Sequence, residues 1–229
     1  MSPSITGISS MATRQVLIEL ADAWTRRGGA AVAFESVGGV AAAERVRDGE
    51  AFDVVLLAAD AIDQLAAAGN VVAGSQTALA RSGVAIAVRR GAPRPAIGSE
   101  AALREALLSA HAVGYSTGPS GVALQQLFER WDIAAALRER LVQAPPGVAV
   151  GALVARGEVD VGFQQLSELM HLDGIDVIGP MPPGLEIVTV FSGGVCTASA
   201  QPDAARALLD FLRSPAAAEA WEHNGMQPV

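Results

Sequence analysis

The sequence predicts an α/β fold of two lobes, in which mixed, mostly parallel sheets are flanked by helices and joined by two crossover strands. Short apolar segments alternate with segments of helical periodicity along all 229 residues, which is typical of repeated strand–helix units. Hydrophobic residues make up 51% of the chain but aromatic residues only 4%, which favours helices packed closely on a sheet over a β-sandwich. We expect residues 1–81 and 192–229 to form lobe I, residues 82–191 to form lobe II, and a ligand cleft to lie between them.

Lobe I is predicted to begin with strand–helix pairs. In its first helix, Val16, Leu20 and Trp24 recur on one face. The segment Phe52–Ala58 is apolar except for Asp53, and we therefore expect a strand that is covered on both faces, as in a parallel sheet. The expected strands are residues 4–8, 30–34 and 52–58, and the expected helices are residues 11–26, 36–48 and 61–68.

Lobe II is predicted to repeat this pattern. Residues 82–89 read as a crossover strand, and the Pro- and Gly-containing segment 91–95 reads as a linker. The final segment, 202–229, is predicted to be helical with a break at Pro215. Between these segments we expect three helices: residues 99–110, a helix that begins at about Gly121, and a helix that follows residues 142–146 and ends at Ala155. The expected strands are residues 112–115, 159–163, 175–178 and 185–191, and the last of them is the return crossover.

Several predicted strand-to-helix turns are rich in serine and glycine. In open parallel sheets, ligands bind beyond the carboxyl ends of the strands, where helix N-termini present free N–H groups and a positive dipole end. Such turns bind anions without a cationic side chain, although a serine at a helix start is more often only an N-cap. The predicted ligand-binding residues in these turns are Ser9, Ser10, Ser36, Gly38, Ser120, Gly121 and Val148.

Two amides and three carboxylates extend this prediction. Gln164 and Gln165 follow a predicted buried strand, where their amides can donate hydrogen bonds to an anion. Glu35 and Asp60 lie at predicted strand ends, and Glu168 lies one turn after Gln164. If the protein is an enzyme, one of these carboxylates is the expected base.

Other chemistry is weakly represented in the sequence. There is no lysine, which excludes lysine Schiff bases and phosphate-binding lysines, and no nucleophile-elbow, metalloprotease or nucleotide-binding motif is present. The histidines His111, His171 and His223 are scattered, so we expect no metal site and no cofactor. The lone Cys196 is expected to be a small core residue.

Charge and hydropathy indicate which binding partners and which cellular compartment to expect. A net charge of −8 with dispersed arginines argues against nucleic-acid binding, and no apolar run is long enough for membrane insertion. The first twelve residues lack the features of a signal peptide. We therefore expect a cytoplasmic protein if the chain is complete, or a periplasmic one if an export signal has been removed.

A set of short segments carries a resemblance along nearly the full chain. They are Ser9-Ser10, Phe34-Glu35-Ser36, the apolar run 52–56, Gly118-Pro119-Ser120-Gly121, Val148 with residues 151–154, residues 157–162, and the ending 211–217. In their order and spacing they resemble the type 2 periplasmic binding protein family, specifically its molybdate-binding branch. That resemblance implies an oxyanion held by hydroxyls and backbone N–H groups at Ser9 or Ser10, Ser36, Ser120 and Val148, and an ABC permease as partner.

One departure from that branch bears on the ligand. Molybdate binders usually carry a tyrosine where this chain has Gln164-Gln165, which implies a different ligand such as an organic acid. The same branch includes proteins that resemble aconitate isomerase. The leading hypothesis is therefore a protein that binds a small anion, either an oxyanion or a small di- or tricarboxylate. The alternatives are an isomerase of an unsaturated tricarboxylate and a cytosolic ligand-sensing module.

Overall fold

The computed structural model describes residues 4–229 and confirms the α/β class. Its strands are β1 (Ile5–Ser10), β2 (Val32–Val37), β3 (Val54–Ala58), β4 (Thr77–Arg89), β5 (Val113–Tyr115), β6 (Leu141–Gln143), β7 (Val161–Gln165), β8 (Ile175–Pro180), β9 (Val188–Val195) and β10 (Gln227–Pro228). Its α-helices are α1 (Arg14–Arg26), α2 (Gly39–Arg47), α3 (Ala59–Ala67), α4 (Glu100–Ser109), α5 (Pro119–Arg130), α6 (Ala134–Leu137), α7 (Val150–Arg156), α8 (Leu166–Leu169), α9 (Pro202–Arg213) and α10 (Pro215–His223).

The chain forms two compact units. The first contains residues 4–82 and those from Thr189 onward, and the second is Gly83–Val188. Strand β4 leads from the first unit into the second, and β9 leads back. Each unit contains both parallel and antiparallel strand pairs with helices on both faces of its strands, and each is described separately below.

In the first unit, the central strand β1 pairs in parallel with β2 and β3. Strand β9 runs antiparallel to β3, and the short β10 runs antiparallel to β4. The side chains of β3 alternate between two cores: Val54 and Leu56 pack with α1 and α9 residues, and Val55 and Leu57 with α2 and α3 residues. The prediction that this apolar strand is covered on both faces is confirmed.

In the second unit, β5 pairs in parallel with β6 and β7, and β4 runs antiparallel to β7 and β8. Strand β4 again supplies two cores, but of unequal size. Val84, Ile86 and Val88 pack with α4 and α5 residues, whereas Ala85 and Ala87 face α7. The small residues of the second face allow α7 to lie close to the sheet.

Three glycine positions show how close that approach is. A Cβ added at Gly162 of β7 would lie 2.5 Å from Val154 Cγ2, and one at Gly114 of β5 would lie 2.9 Å from Val150 Cγ1. At Gly151, which is in α7 itself, an added Cβ would lie 2.5 Å from Leu172 Cδ1. Such distances require glycine at Gly114 and Gly162, where α7 approaches the strands, and at Gly151, where α7 approaches Leu172.

The main errors of the sequence prediction lie at element ends. Strands β1, β2 and β7 run on through Ser10, Val37 and Gln165, so Ser36 and Gln164 lie in strands and not at helix starts. The predicted break at Pro215 is present, but the last segment is not helical to its end, because β10 pairs with Ala80 and Arg81 of β4.

Candidate functional site

The parallel strands of the first unit end in a group of hydroxyls. Ser9 of β1 and Ser36 of β2 are in register, and their Oγ atoms lie 2.8 Å apart. Ser9 is fully buried, and its Oγ also lies 3.3 Å from the carbonyl oxygen of Ser10. We call the end of the β1–β2–β3 strands, with Ser9, Ser10, Glu35, Ser36, Gly38 and Asp60, the first edge.

Ser10 differs from its neighbours at this edge. Ser10 is only 8% exposed, and its Oγ makes no hydrogen bond with any group of residues 4–229. A Cβ placed on Gly39, the first residue of α2, would be 3.7 Å from Ser10 Cβ, so the hydroxyl lies beside a helix N-terminus. Gly38 caps that helix without a side chain, which leaves the first N–H groups of α2 without a side-chain acceptor among the described residues.

The two carboxylates of the first edge are differently placed. Arg45 of α2 binds both oxygens of Glu35, with Arg45 Nη2 2.9 Å from Oε2, and Arg45 also binds Glu50. The hydrogen bond with Arg45 holds the pKa of Glu35 below its usual value, and the carboxylate is exposed. Asp60 is an exposed first-turn residue of α3, where it complements the helix dipole. Neither environment favours proton abstraction.

The parallel strands of the second unit also end together, because β5, β6 and β7 run in the same direction. We call this end, with Ser120, Gly121, Val148, Gln164, Gln165 and Glu168, the second edge. Ser120 is 8% exposed, and its Oγ lies 3.2 Å from Ser116 Oγ. Gly121 is required here, since an added Cβ would lie 1.9 Å from the carbonyl oxygen of Ser116.

The amides at the start of α5 and α7 are not equally available. Gly121 and Val122 both donate to the carbonyl of Gly118, and Pro119 has no N–H. Ser120 therefore offers the N–H of the first turn together with its hydroxyl. The N–H of Val148, which the resemblance assigns to the ligand, donates instead to Pro145 at 3.0 Å within its own turn.

Gln164 and Glu168 form a linked pair. Gln164, 3% exposed, accepts a hydrogen bond from Gly151 N–H at 3.3 Å and donates through Nε2 to Glu168 Oε2 at 2.6 Å. Burial raises the pKa of Glu168 to about 7, although the hydrogen bond from Gln164 lowers it. Gln165, the next residue, is also buried. A carboxyl that titrates near neutral pH can both accept and release a proton under ordinary conditions.

A separate cavity of about 760 Å³ lies at the other end of the second sheet. It is lined by Arg89, His111, Asp160 and apolar residues of the 92–96 linker and α4. Because Val88 of β4 pairs with Val161, the first residue of β7, Arg89 lies far from the second edge along the strand. His111 lies in the same region, where its backbone N–H donates to Asp160 Oδ2 at 2.6 Å.

The surroundings of Cys196 are those of a core residue. Cys196 is buried in the core, as predicted, and burial together with the charge of Asp53 raises the pKa of its thiol to about 12. Within residues 4–229, no three His, Cys, Asp or Glu side chains are grouped so that they could hold a metal ion. Of the helices in this range, none combines the length and apolar character needed to cross a bilayer.

Sequence reasoning missed three groups at these edges. They are the N–H of Gly151, and Ser116 and Gly39, which lie in predicted strand-to-helix turns but are not among the predicted site residues. Ser116 and Ser120 are four residues apart across a helix start, which is a readable signal. The other two depend on how closely helices approach strand ends, which spacing does not reveal.

The chain passes from the first α/β unit into the second through β4 and returns through β9. In each unit, hydroxyls and helix N-termini lie at the ends of the parallel strands. This arrangement is typical of a solute-binding protein. Residues 5–227 match the family model of the bacterial extracellular solute-binding proteins, and the chain belongs to that family. Its fold is that of the type 2 periplasmic binding proteins.

Individual relatives agree with this assignment. The chain is 43% identical over 188 residues to aconitate isomerase from a Pseudomonas species. The aligned residues make up 81% of this chain and 71% of that protein. The periplasmic molybdate-binding protein of Azotobacter vinelandii has a similar structure, with a TM-score of 0.82 at 18% identity over 97% of this chain and 98% of that one. A sulfate-binding protein from Mycobacterium tuberculosis gives a TM-score of 0.77 at 19% identity over 99% of this chain and 87% of that one.

Proposed function

We propose that the protein binds a small anion, either an oxyanion or a small di- or tricarboxylate, through the hydroxyls and N–H groups of the first and second edges. The observation that carries this proposal is Ser10. A buried hydroxyl without a protein partner is costly unless a ligand completes its hydrogen bonding. The N-terminus of α2 beside it favours a negative charge.

The donors at both edges suit an anion that has no cationic counterpart in the protein. Ser9, Ser36 and Ser120 can donate from hydroxyls, and α2 and α5 add backbone N–H groups and their dipoles. The chain has no lysine and a net charge of −8, so attraction of the ligand must be local. Aconitate, molybdate and sulfate, named for three of the similar proteins, are anions, whereas another structural neighbour is a thiamin-binding protein.

Membership of the family supports one partner. One structural neighbour is the substrate-binding domain of a molybdenum ABC transporter. We propose an ABC permease as the partner of the ligand-bound protein. Pull-down of a co-expressed permease that depends on added ligand tests this, and equal capture with and without ligand contradicts it.

A ligand panel tests the binding function. Thermal shift and calorimetry with molybdate, tungstate, sulfate, citrate, cis-aconitate and trans-aconitate identify the class by saturable stabilisation. We expect Ser10→Ala and Ser120→Ala each to weaken binding about five- to tenfold, the effect of one hydrogen bond worth about 1 kcal/mol or more. The exposed Thr25, which bonds within α1, supplies the control Thr25→Ala. Unchanged affinity in both serine variants contradicts the site.

A second candidate function is isomerisation of an unsaturated tricarboxylate, and two observations favour it. One relative is named aconitate isomerase, and Glu168 is a partly buried carboxyl with a pKa of about 7. In this reaction Glu168 would take a proton from one allylic carbon and return it to the other as the double bond moves. The hydrogen-bond donors of both edges would stabilise the negative charge that develops on the substrate carboxylate.

Turnover separates the two functions. If the protein is an isomerase, the absorbance of trans-aconitate changes with time, and Glu168→Gln lowers kcat at least about 100-fold, as expected for loss of a general base. A larger loss in Glu35→Gln or Asp60→Asn moves the assignment to that residue. Saturable binding of trans-aconitate without any absorbance change leaves the binding function alone.

A further inference from the structure

The hydrogen bonds at the second edge fix the orientation of one amide. A backbone N–H can only donate, so the N–H of Gly151 must face the oxygen of Gln164, at 3.3 Å. The NH₂ group of Gln164 then has to face Glu168, and it donates to Oε2 at 2.6 Å. Gln164 is 3% exposed, which leaves its amide little freedom to turn. Glu168 therefore has one occupied oxygen, Oε2, and one remaining oxygen, Oε1.

Among residues 4–229, no cation contributes to the pKa of Glu168. Helix α8 packs against β7 and α7. Strand β7 has no charged side chain, and Arg156 of α7 bonds to Glu158 at 2.5 Å. In the segment that follows α8, Asp173 pairs with Arg90 and Asp176 of β8 with Arg94, and His171 lies three residues after Glu168. Within residues 4–229, the proton affinity of Glu168 is set by burial and by Gln164.

Resting on the second candidate function, we propose that Gln164 is a positioning residue that occupies Oε2 of Glu168 and leaves Oε1 to exchange a proton with the substrate. Its role is separate from that of a base, because the amide itself neither gains nor loses a proton. By donating to Oε2 it also stabilises the ionised carboxylate, which is the form that accepts a proton. Gly151 acts one step further back, since its N–H selects which end of the amide faces Glu168.

This arrangement determines the direction in which the pKa of Glu168 changes when Gln164 is replaced. The hydrogen bond from Gln164 lowers the pKa of Glu168, whereas burial raises it. Replacing Gln164 by Met keeps the length and volume of the side chain but removes the donor. We then expect the pKa of Glu168 to rise above about 7, so that a smaller fraction of the protein carries the active base at neutral pH.

Two measurements on the full chain test the proposal. Carbon-detected NMR of ¹³C-labelled glutamate, with Glu168→Gln to assign the resonance, gives the titration midpoint of Glu168 in the ligand-free protein. We expect the midpoint to rise in Gln164→Met and to stay in place in Gln126→Met, which replaces an exposed glutamine of α5. The kcat–pH profile with trans-aconitate should move to higher pH by the same amount, with a larger loss of kcat at pH 6 than at pH 8.

The outcomes distinguish this proposal from the function on which it rests. An unchanged Glu168 midpoint in Gln164→Met overturns the proposal even if wild-type protein isomerises trans-aconitate. A loss of kcat that is equal at every pH also overturns it, since that is the result of a general structural defect. A raised midpoint without turnover in the wild type supports the positioning of Glu168 and overturns the isomerase function.

Discussion

The two edges present similar donors but differ in how they respond to protons. At the first edge the candidate donors are hydroxyls and backbone N–H groups, and its two carboxylates are exposed, one of them held by Arg45. The second edge has a serine and a helix N-terminus too, but adds Gln164 and a carboxyl with a pKa of about 7. The candidate donors of the first edge therefore do not titrate near neutral pH, whereas the second edge includes a carboxyl that does.

The largest expected effect concerns how each helix start is built. Gly121 lies under the Ser116 carbonyl, whereas a Cβ at Gly38 meets no atom within 4 Å. We expect Gly121→Ala to lower the free energy of unfolding by more than about 2 kcal/mol, because backbone must move, and Gly38→Ala to change it by less than about 0.5 kcal/mol. Urea denaturation of both variants gives the comparison. Equal stability of the two would show that α5 is not constrained by this contact.

The next effect concerns pH. Glu168 has a folded-state pKa of about 7 against an ordinary value of 4.5, so its contribution to stability is present at low pH and is lost as pH rises through 7. We expect Glu168→Gln to match the wild type near pH 4.5 and to be more stable at pH 8, by at most about 3 kcal/mol. Thermal melts across pH 4.5–8.5 measure this, with exposed Glu105→Gln as control. A pH-independent difference would place the cause elsewhere.

The smallest expected effect is the difference in stability between variants of two adjacent serines of the first edge, Ser9 and Ser10. Ser9→Ala breaks the bond to Ser36 and should destabilise the ligand-free protein by about 1 kcal/mol. Ser10→Ala removes a buried hydroxyl that has no partner among residues 4–229, so it should leave the ligand-free protein equally stable or slightly more stable. Denaturant midpoints without ligand decide between them. If Ser10→Ala is the more destabilising change, the hydroxyl has a structural role.

Much of the fold could be predicted because it depends on periodicity. The two-sided burial of β3 follows from its uninterrupted apolar residues, and the break at Pro215 follows from the chemistry of proline. Strand ends were harder to place, because Ser36 and Gln164 are polar residues that continue a strand only through pairing with Ser9 and Ala85. Long-range pairing of this kind also explains why β10 was missed.

The site was predictable in its residue types but not in its connections. Serines and glycines after predicted strands indicated helix starts, and the structure has Ser10 and Ser120 buried beside such starts. Glu35, Asp60 and Glu168 could not be ranked as candidate bases from sequence alone. Their ranking depends on Arg45, on solvent exposure and on Gln164. Those contacts join residues whose separation in sequence follows no motif.

The glycines beneath α7 have a consequence for comparing related sequences. Gly114 and Gly162 bring α7 close enough for Gly151 to reach Gln164, and a larger residue at position 162 would push the helix outward. A homologue that retains the glutamine and the glutamate but carries a bulky side chain beneath this helix should lose the fixed amide. Glycine at these positions is therefore a better criterion for a shared Gln164–Glu168 contact than the two polar residues alone.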